Sequence, residues 1–157
     1  MKIIGFNFTK ISAEKSSAEL KQGAKIDANI NFLDVKKEDI LLSEKDSEAL
    51  RVLFNFSVKY SNQDEEAEKK SGEKSENNGE VSFKGFFILT VSNEEAKAIL
   101  KDWKKQEISE FIRVPLFNFI LRRCSVRAMQ LEEELGLPLH VPLPQISAPQ
   151  TSETKKE

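Results

Sequence analysis

Apolar residues recur at every second position in four stretches of the chain, the period of a strand with one buried face. The first stretch carries Ile4, Phe6 and Phe8. The second sets Ile26, Ala28, Ile30 and Phe32 against Asp27, Asn29 and Asn31, so one of its faces is wet. The third sets Leu50, Val52, Phe54, Phe56, Val58 and Tyr60 against Arg51, Leu53, Asn55, Ser57 and Lys59. The fourth sets Val81, Phe83, Phe87, Leu89 and Val91 against Ser82, Lys84, Phe86, Ile88 and Thr90, with Gly85 interrupting the inward set. Phe86 and Ile88 make this strand apolar on both faces in its middle.

After Ser92 the period changes to that of a helix. Ser92 with Glu95 three positions on forms a capping box, and Ala96, Ile99, Leu100 and Trp103 follow at helical spacing. Glu94 and Glu95 at the start and Lys101, Lys104 and Lys105 at the end complement the helix dipole. Pro115 is placed to break or start a segment, since proline is tolerated in a first turn and costly further in. A longer helix is predicted from there, with Phe117, Ile120, Leu121, Cys124, Ala128, Leu131 and Leu135 on its seam and Gly136 ending it. Arg122, Arg123 and Arg127 fall off the seam, within helical pairing distance of Glu132 to Glu134. Beyond Gly136 the prolines Pro138, Pro142 and Pro144 allow only an extended chain. The fold class expected is α+β: a four-stranded antiparallel sheet with a short and a long C-terminal helix packed on one face.

Two connections differ in character. Residues 61–80 contain Asp, Glu, Lys, Ser, Asn and Gly without one large apolar side chain, and read as a long mobile hairpin loop. The connection from Lys36 to Ala49 holds Ile40, Leu41 and Leu42 together among charges, so these three must pack on the sheet or on a partner. One domain over residues 1–146 is expected, followed by a polar disordered tail over 147–157.

Composition narrows the function classes. The 157 residues carry a formal net charge of -2, which gives no basic field for nucleic acid. No apolar run reaches the roughly 18 to 20 residues that span a bilayer, so membrane insertion is not expected. A single cysteine, Cys124, and no apolar leader at the start predict a reducing, cytoplasmic location. No phosphate loop, no metal-spaced Cys or His pair and no nucleophile elbow is present, and the one histidine, His140, sits in the proline-rich extension as a surface or packed residue. No enzyme, cofactor or metal is therefore expected. Eleven Phe against one Tyr and one Trp place the aromatic area in purely apolar contact, in a core or in a sticky groove.

The run from Pro115 to Pro144, PLFNFILRRCSVRAMQLEEELGLPLHVPLP, and the opening Phe6-Asn7-Phe8-Thr9-Lys10-Ile11-Ser12 resemble the SecB family of export chaperones. The likeness extends over most of residues 1 to 146. It implies a holdase that binds unfolded or precursor polypeptides, assembles as a dimer or tetramer and can serve a translocase component. Some relatives in that family instead guard the antitoxin of a toxin–antitoxin system, and an oligomeric adaptor for one folded partner is the reading of a different class. The family's further C-terminal helix has no counterpart after Ile146, which leaves the shape of a client groove open.

Strand parity puts Leu53, Phe86 and Ile88 on the sheet face away from the helices, where something apolar must meet them. Together with Ile40, Leu41 and Leu42 and with Leu137, Leu139, Val141, Leu143 and Ile146 of the extension, they are the predicted client-binding residues. A homo-oligomer is also expected, because the first strand falls at a sheet edge with unpaired backbone groups.

Overall fold

The computed structural model describes residues 1–16, 19–20, 22–40, 46–62 and 78–147. Four strands, β1 (Lys2–Lys15), β2 (Lys25–Glu38), β3 (Ser47–Ser61) and β4 (Gly79–Ser92), precede two helices, α1 (Asn93–Lys104) and α2 (Glu110–Leu135). The strands form one antiparallel sheet in the order β1, β4, β3, β2. β1 and β2 therefore stand at opposite edges, and the chain between them passes across one end of the sheet. Both helices cover the same face, and the architecture is α+β as expected.

The two central strands keep the parity expected of them. Leu50, Val52, Phe54, Phe56, Val58 and Tyr60 of β3 and Val81, Phe83, Phe87, Leu89 and Val91 of β4 form the floor of the core, with Ala96 and Ile99 of α1 and Leu116, Ile120, Cys124 and Ala128 of α2 above them. Gly85 lies in the inward set because nothing larger fits. A Cβ there would stand 2.4 Å from the Asn7 carbonyl oxygen and 2.9 Å from Phe54 Cζ. The ring of Phe54 fills the space and stacks on Phe6 of β1 at 5.5 Å.

The edge strands break the simple alternation. Register slips between Ile3 and Gly5 and between Phe8 and Lys10 in β1, and between Phe32 and Asp34 in β2. Each bulge inserts one unpaired residue and flips the following side chains to the other face. Ile3, opposite Leu89, thus takes the inward position that alternation assigns to Ile4, and Ile11 comes opposite Phe83. The strands are also longer than the apolar runs. β2 continues to Glu38 and β3 starts at Ser47, so the Lys36–Ala49 connection is shorter than expected. Likewise Ser61 pairs with Lys25 of β2 and Gly79 and Glu80 pair with Tyr60 and Lys59 of β3, and residues 63–77 of the expected loop, like 148–157 of the expected tail, lie outside the described residues.

α1 begins on the capping box read from the sequence: Glu95 N–H donates to Ser92 Oγ at 3.2 Å and Ser92 N–H to the Glu95 carboxylate at 3.0 Å. α2 starts five residues before Pro115, which sits inside the helix. Its buried line is Leu116, Ile120, Cys124, Ala128 and Glu132, a strict four-residue step. Leu121 is exposed, while Phe117, Leu131 and Leu135 flank the line half-buried. Gly136 closes the helix at φ 63°, with its N–H and that of Leu137 donating to the carbonyls of Glu133 and Glu132. A left-handed residue in that position costs glycine little.

Candidate functional site

The residues predicted to meet a client are split between the two faces of the sheet. Leu53, Phe86 and Ile88 lie on the outer face, away from the helices, but much of their area is covered by the protein itself. Ile88 is 7% exposed and borders Gly5 of β1. The guanidinium of Arg51 stands 4.4 Å above the Phe86 ring and is held there by Glu38 at 2.6 Å. Ile40 is exposed, whereas Leu41 and Leu42 lie outside the described residues. The extension after α2 runs over the inner face. There Leu137 is 5% exposed, Leu139 half-buried, and Val141, Leu143 and Ile146 exposed. Ile88 and Leu137 are thus core residues and offer no free apolar surface.

A different concavity lies beside β2. A cleft of about 590 Å³ is lined by Ile30, Asn31 and Phe32 of β2, by Asp102 and Trp103 of α1 and Arg113 and Phe117 of α2, and by Gln106 to Glu110 between and at the start of the helices. Successive strand side chains point to opposite faces. A cleft that touches three consecutive strand residues therefore lies against the strand's edge. Among the described residues no strand pairs with that edge, so it presents backbone donors and acceptors to the cleft. Phe32 and Phe117, with centroids 4.9 Å apart, and the half-buried Trp103 supply the apolar wall. Asp102, Glu107 and Glu110 form a polar rim, and Arg113 is tied to Glu110 at 3.1 Å.

A second cleft, about 730 Å³, opens just before the start of β2. Leu20, Gln22, Gly23 and Ala24 from the β1–β2 connection face Glu133, Gly136 and residues 137–139 and 143 across it. The exposed lining is mainly Leu and Pro side chain. Between the clefts, the extension crosses the sheet floor. Leu137 packs over Gly79 and Tyr60, with its Cδ2 3.0 Å from where a Gly79 Cβ would stand, and the His140 ring meets the Phe56 ring edge-on at 6.0 Å. Tyr60 faces Ile26 and Phe56 faces Ile30 in the ladder, so the crossing lies beside the stretch of β2 that separates the clefts.

The crossing is fixed by a buried polar cluster that helical pairing on the surface does not suggest. Glu132 is fully buried and accepts from the Tyr60 hydroxyl at 2.5 Å, from His140 Nδ1 at 2.7 Å and from the His140 backbone N–H at 3.2 Å. A carboxylate is stable in such a place only when donors saturate it. Burial, together with the adjoining Glu132 carboxylate, raises the pKa of Tyr60 well above the usual phenol range. Arg127, expected to pair with a later Glu, bonds the Gln130 side chain instead. Arg123 lies 5.6 Å from the centroids of both Phe6 and Phe119. The one signal for Glu132 in the sequence is its place at the end of the four-residue series from Leu116.

Among the described residues of these clefts no catalytic constellation converges. Among the described residues there is no cluster of three or more His, Cys, Asp or Glu side chains able to hold a metal ion. Cys124 lies in the core without a base, and burial pushes its thiol pKa up to about 12. Among the described residues no helix is long and apolar enough to cross a membrane. Phe111, 93% exposed, and Val114 form an apolar patch at the start of α2.

No family model matches the chain, and no curated protein matches it. Among solved structures the chain is similar to the Mycobacterium tuberculosis Rv1957 SecB-like chaperone in complex with a ChAD peptide from Rv1956 HigA1 antitoxin, at 17% identity and a TM-score of 0.46, covering 94% of this chain and 91% of that one.

Proposed function

We propose that this chain is a holdase that binds extended, unfolded polypeptide as a strand added to the free edge of β2. The observation that carries the reading is the cleft against Ile30, Asn31 and Phe32, in which a strand edge that no strand pairs with among the described residues lies beside the apolar wall of Phe32, Trp103 and Phe117. An added strand takes its hydrogen bonds from the backbone, which every polypeptide offers, and its alternate side chains fall on the aromatic wall. Sequence-independent binding of unfolded chains needs both parts. The exposed residues Phe111 and Val114 of α2 and the open edge of β1 supply surface for the homo-oligomer expected from the sequence. A cytoplasmic site of action and a binding role without catalysis complete the proposal.

Trp103 is the chain's only tryptophan, so its fluorescence reports on the cleft alone. Unfolded proteins of unrelated sequence should shift its emission, and the chain should suppress their aggregation as followed by light scattering. Backbone amides of β2 that point away from β3 should exchange more slowly when an alternating Leu/Ser decapeptide is present. Suppression confined to one protein would instead make the chain a dedicated partner-binding adaptor or antitoxin guard. No shift with any unfolded chain removes the reading.

A further inference from the structure

We propose that residues Leu137–Leu143 are a displaceable strap over the stretch between the two clefts, pinned by Glu132 and His140, and that a client must lift it to run from the cleft at Ile30–Phe32 to the one before the start of β2. The inference rests on the client groove proposed above and adds its regulation. One cleft opens beside the middle of β2 and the other just before its start, and the strap covers the β3 floor between them, at Tyr60 and Phe56.

How the strap is held argues that it can leave. Leu137 N–H completes the end of α2, but among the described residues no backbone-to-backbone hydrogen bond holds residues 138–147. Pro138, Pro142 and Pro144 have no N–H to give. The attachment is the side chain of Glu132, reached by His140 through its ring and its own N–H, together with apolar contact at Leu137 and Phe56. Past that point Val141, Leu143 and Ile146 are exposed. The strap also carries apolar residues at every second position, Leu137, Leu139, Val141 and Leu143, the spacing that the groove is proposed to take, although the chain bends at His140 and Val141. It is built as an internal occupant, fixed at one place and loose beyond it.

The test separates the strap from the client site. The single variant His140→Ala removes the pin, and the double variant Glu132→Gln with His140→Ala removes the pin and the buried carboxylate together. Binding of the dye ANS, which reads exposed apolar surface, is measured without any client. At least one variant should bind about threefold more dye or more while keeping far-UV circular dichroism and cooperative unfolding. Unchanged dye binding in both, or loss of cooperative unfolding in both, overturns the strap, the latter by making the segment part of the core. The second arm follows amide exchange of the wild-type chain with the alternating Leu/Ser decapeptide. Faster exchange at the His140 amide alongside protection of β2 supports displacement. Protection of β2 with an unchanged His140 amide overturns the strap and leaves the client site standing. Protection nowhere, with Trp103 emission also unmoved, overturns the client site and with it the strap's role as its cover.

Discussion

The two faces of the sheet carry similar apolar residues and treat them differently. On the outer face Phe86 lies beneath Arg51, which Glu38 holds in place, and Ile88 is closed over beside Gly5. On the inner face the helices cover β1, β4 and much of β3 but leave a cleft along the edge of β2, with Trp103, Phe32 and Phe117 on its wall. An apolar residue outside the core is therefore not by itself a binding surface. What matters is whether a neighbouring stem can lie over it, as the long arginine side chain does. Where the next layer is a helix junction rather than a flexible side chain, a gap remains.

The largest effect expected from that comparison is at Gly85, on the inner side of β4. Gly85→Ala should destabilise the fold by about 3 kcal/mol or more in urea unfolding, because the added methyl meets a backbone carbonyl and the Phe54 ring. Lys84→Ala, one position along and facing out, should change stability by less than about 0.5 kcal/mol. Similar losses at both sites would mean that the faces are equally constrained.

Alkaline pH sharpens the same contrast, since the two groups with raised pKa values among the described residues, Cys124 and Tyr60, lie in the inner layer. A folded-state pKa above the unfolded one contributes stability that is complete below the unfolded value. That stability is lost as pH rises toward the folded value. Unfolding free energy should accordingly begin to fall above about pH 9, the ordinary thiol value, with a slope of up to roughly 1.4 kcal/mol per unit for each group. Cys124→Ser combined with Tyr60→Phe should flatten the slope. A profile unaffected by the pair would place the alkaline loss elsewhere.

At the binding level, Trp103→Ala should weaken decapeptide affinity about tenfold, close to 1.4 kcal/mol. Phe86→Ser with Ile88→Ser should leave affinity within about twofold while lowering stability. The reverse result would move the client site to the outer face. A modest effect is expected for Arg51→Ala, which uncovers Phe86: about 1 kcal/mol of stability from the lost cation–π contact and ion pair, and a modest rise in ANS binding.

The sequence disclosed the central strands and the α1 cap well, because Phe54, Val58, Phe83 and Leu89 repeat a period set by local geometry. It did not disclose the bulges at Ile4, Thr9 and Leu33. One inserted residue leaves composition unchanged and reverses parity, and only the partner strand fixes where it falls. Glu132 was hidden for a related reason. Within a run of three glutamates it reads as solvent-facing, and the donors that make its burial tolerable lie on Tyr60, far away in sequence, and on His140 beyond the helix end. The β2 cleft was equally unreadable, since it arises from α1 and α2 meeting strand residues seventy or more positions earlier in the chain.

The strand order also has a bearing on synthesis. β2, β3 and β4 are consecutive and pair as a meander, each with its sequence neighbour. β1 is the first strand made, yet it pairs with the last: Lys2 lies 88 positions from Thr90. At roughly 5 to 20 residues per second, β1 waits about 4 to 18 s for its partner to be translated. Over that interval Ile3, Phe6 and Phe8 form an unpaired apolar strand on a nascent chain. The protein proposed to shelter unfinished polypeptides thus spends several seconds of its own synthesis as one.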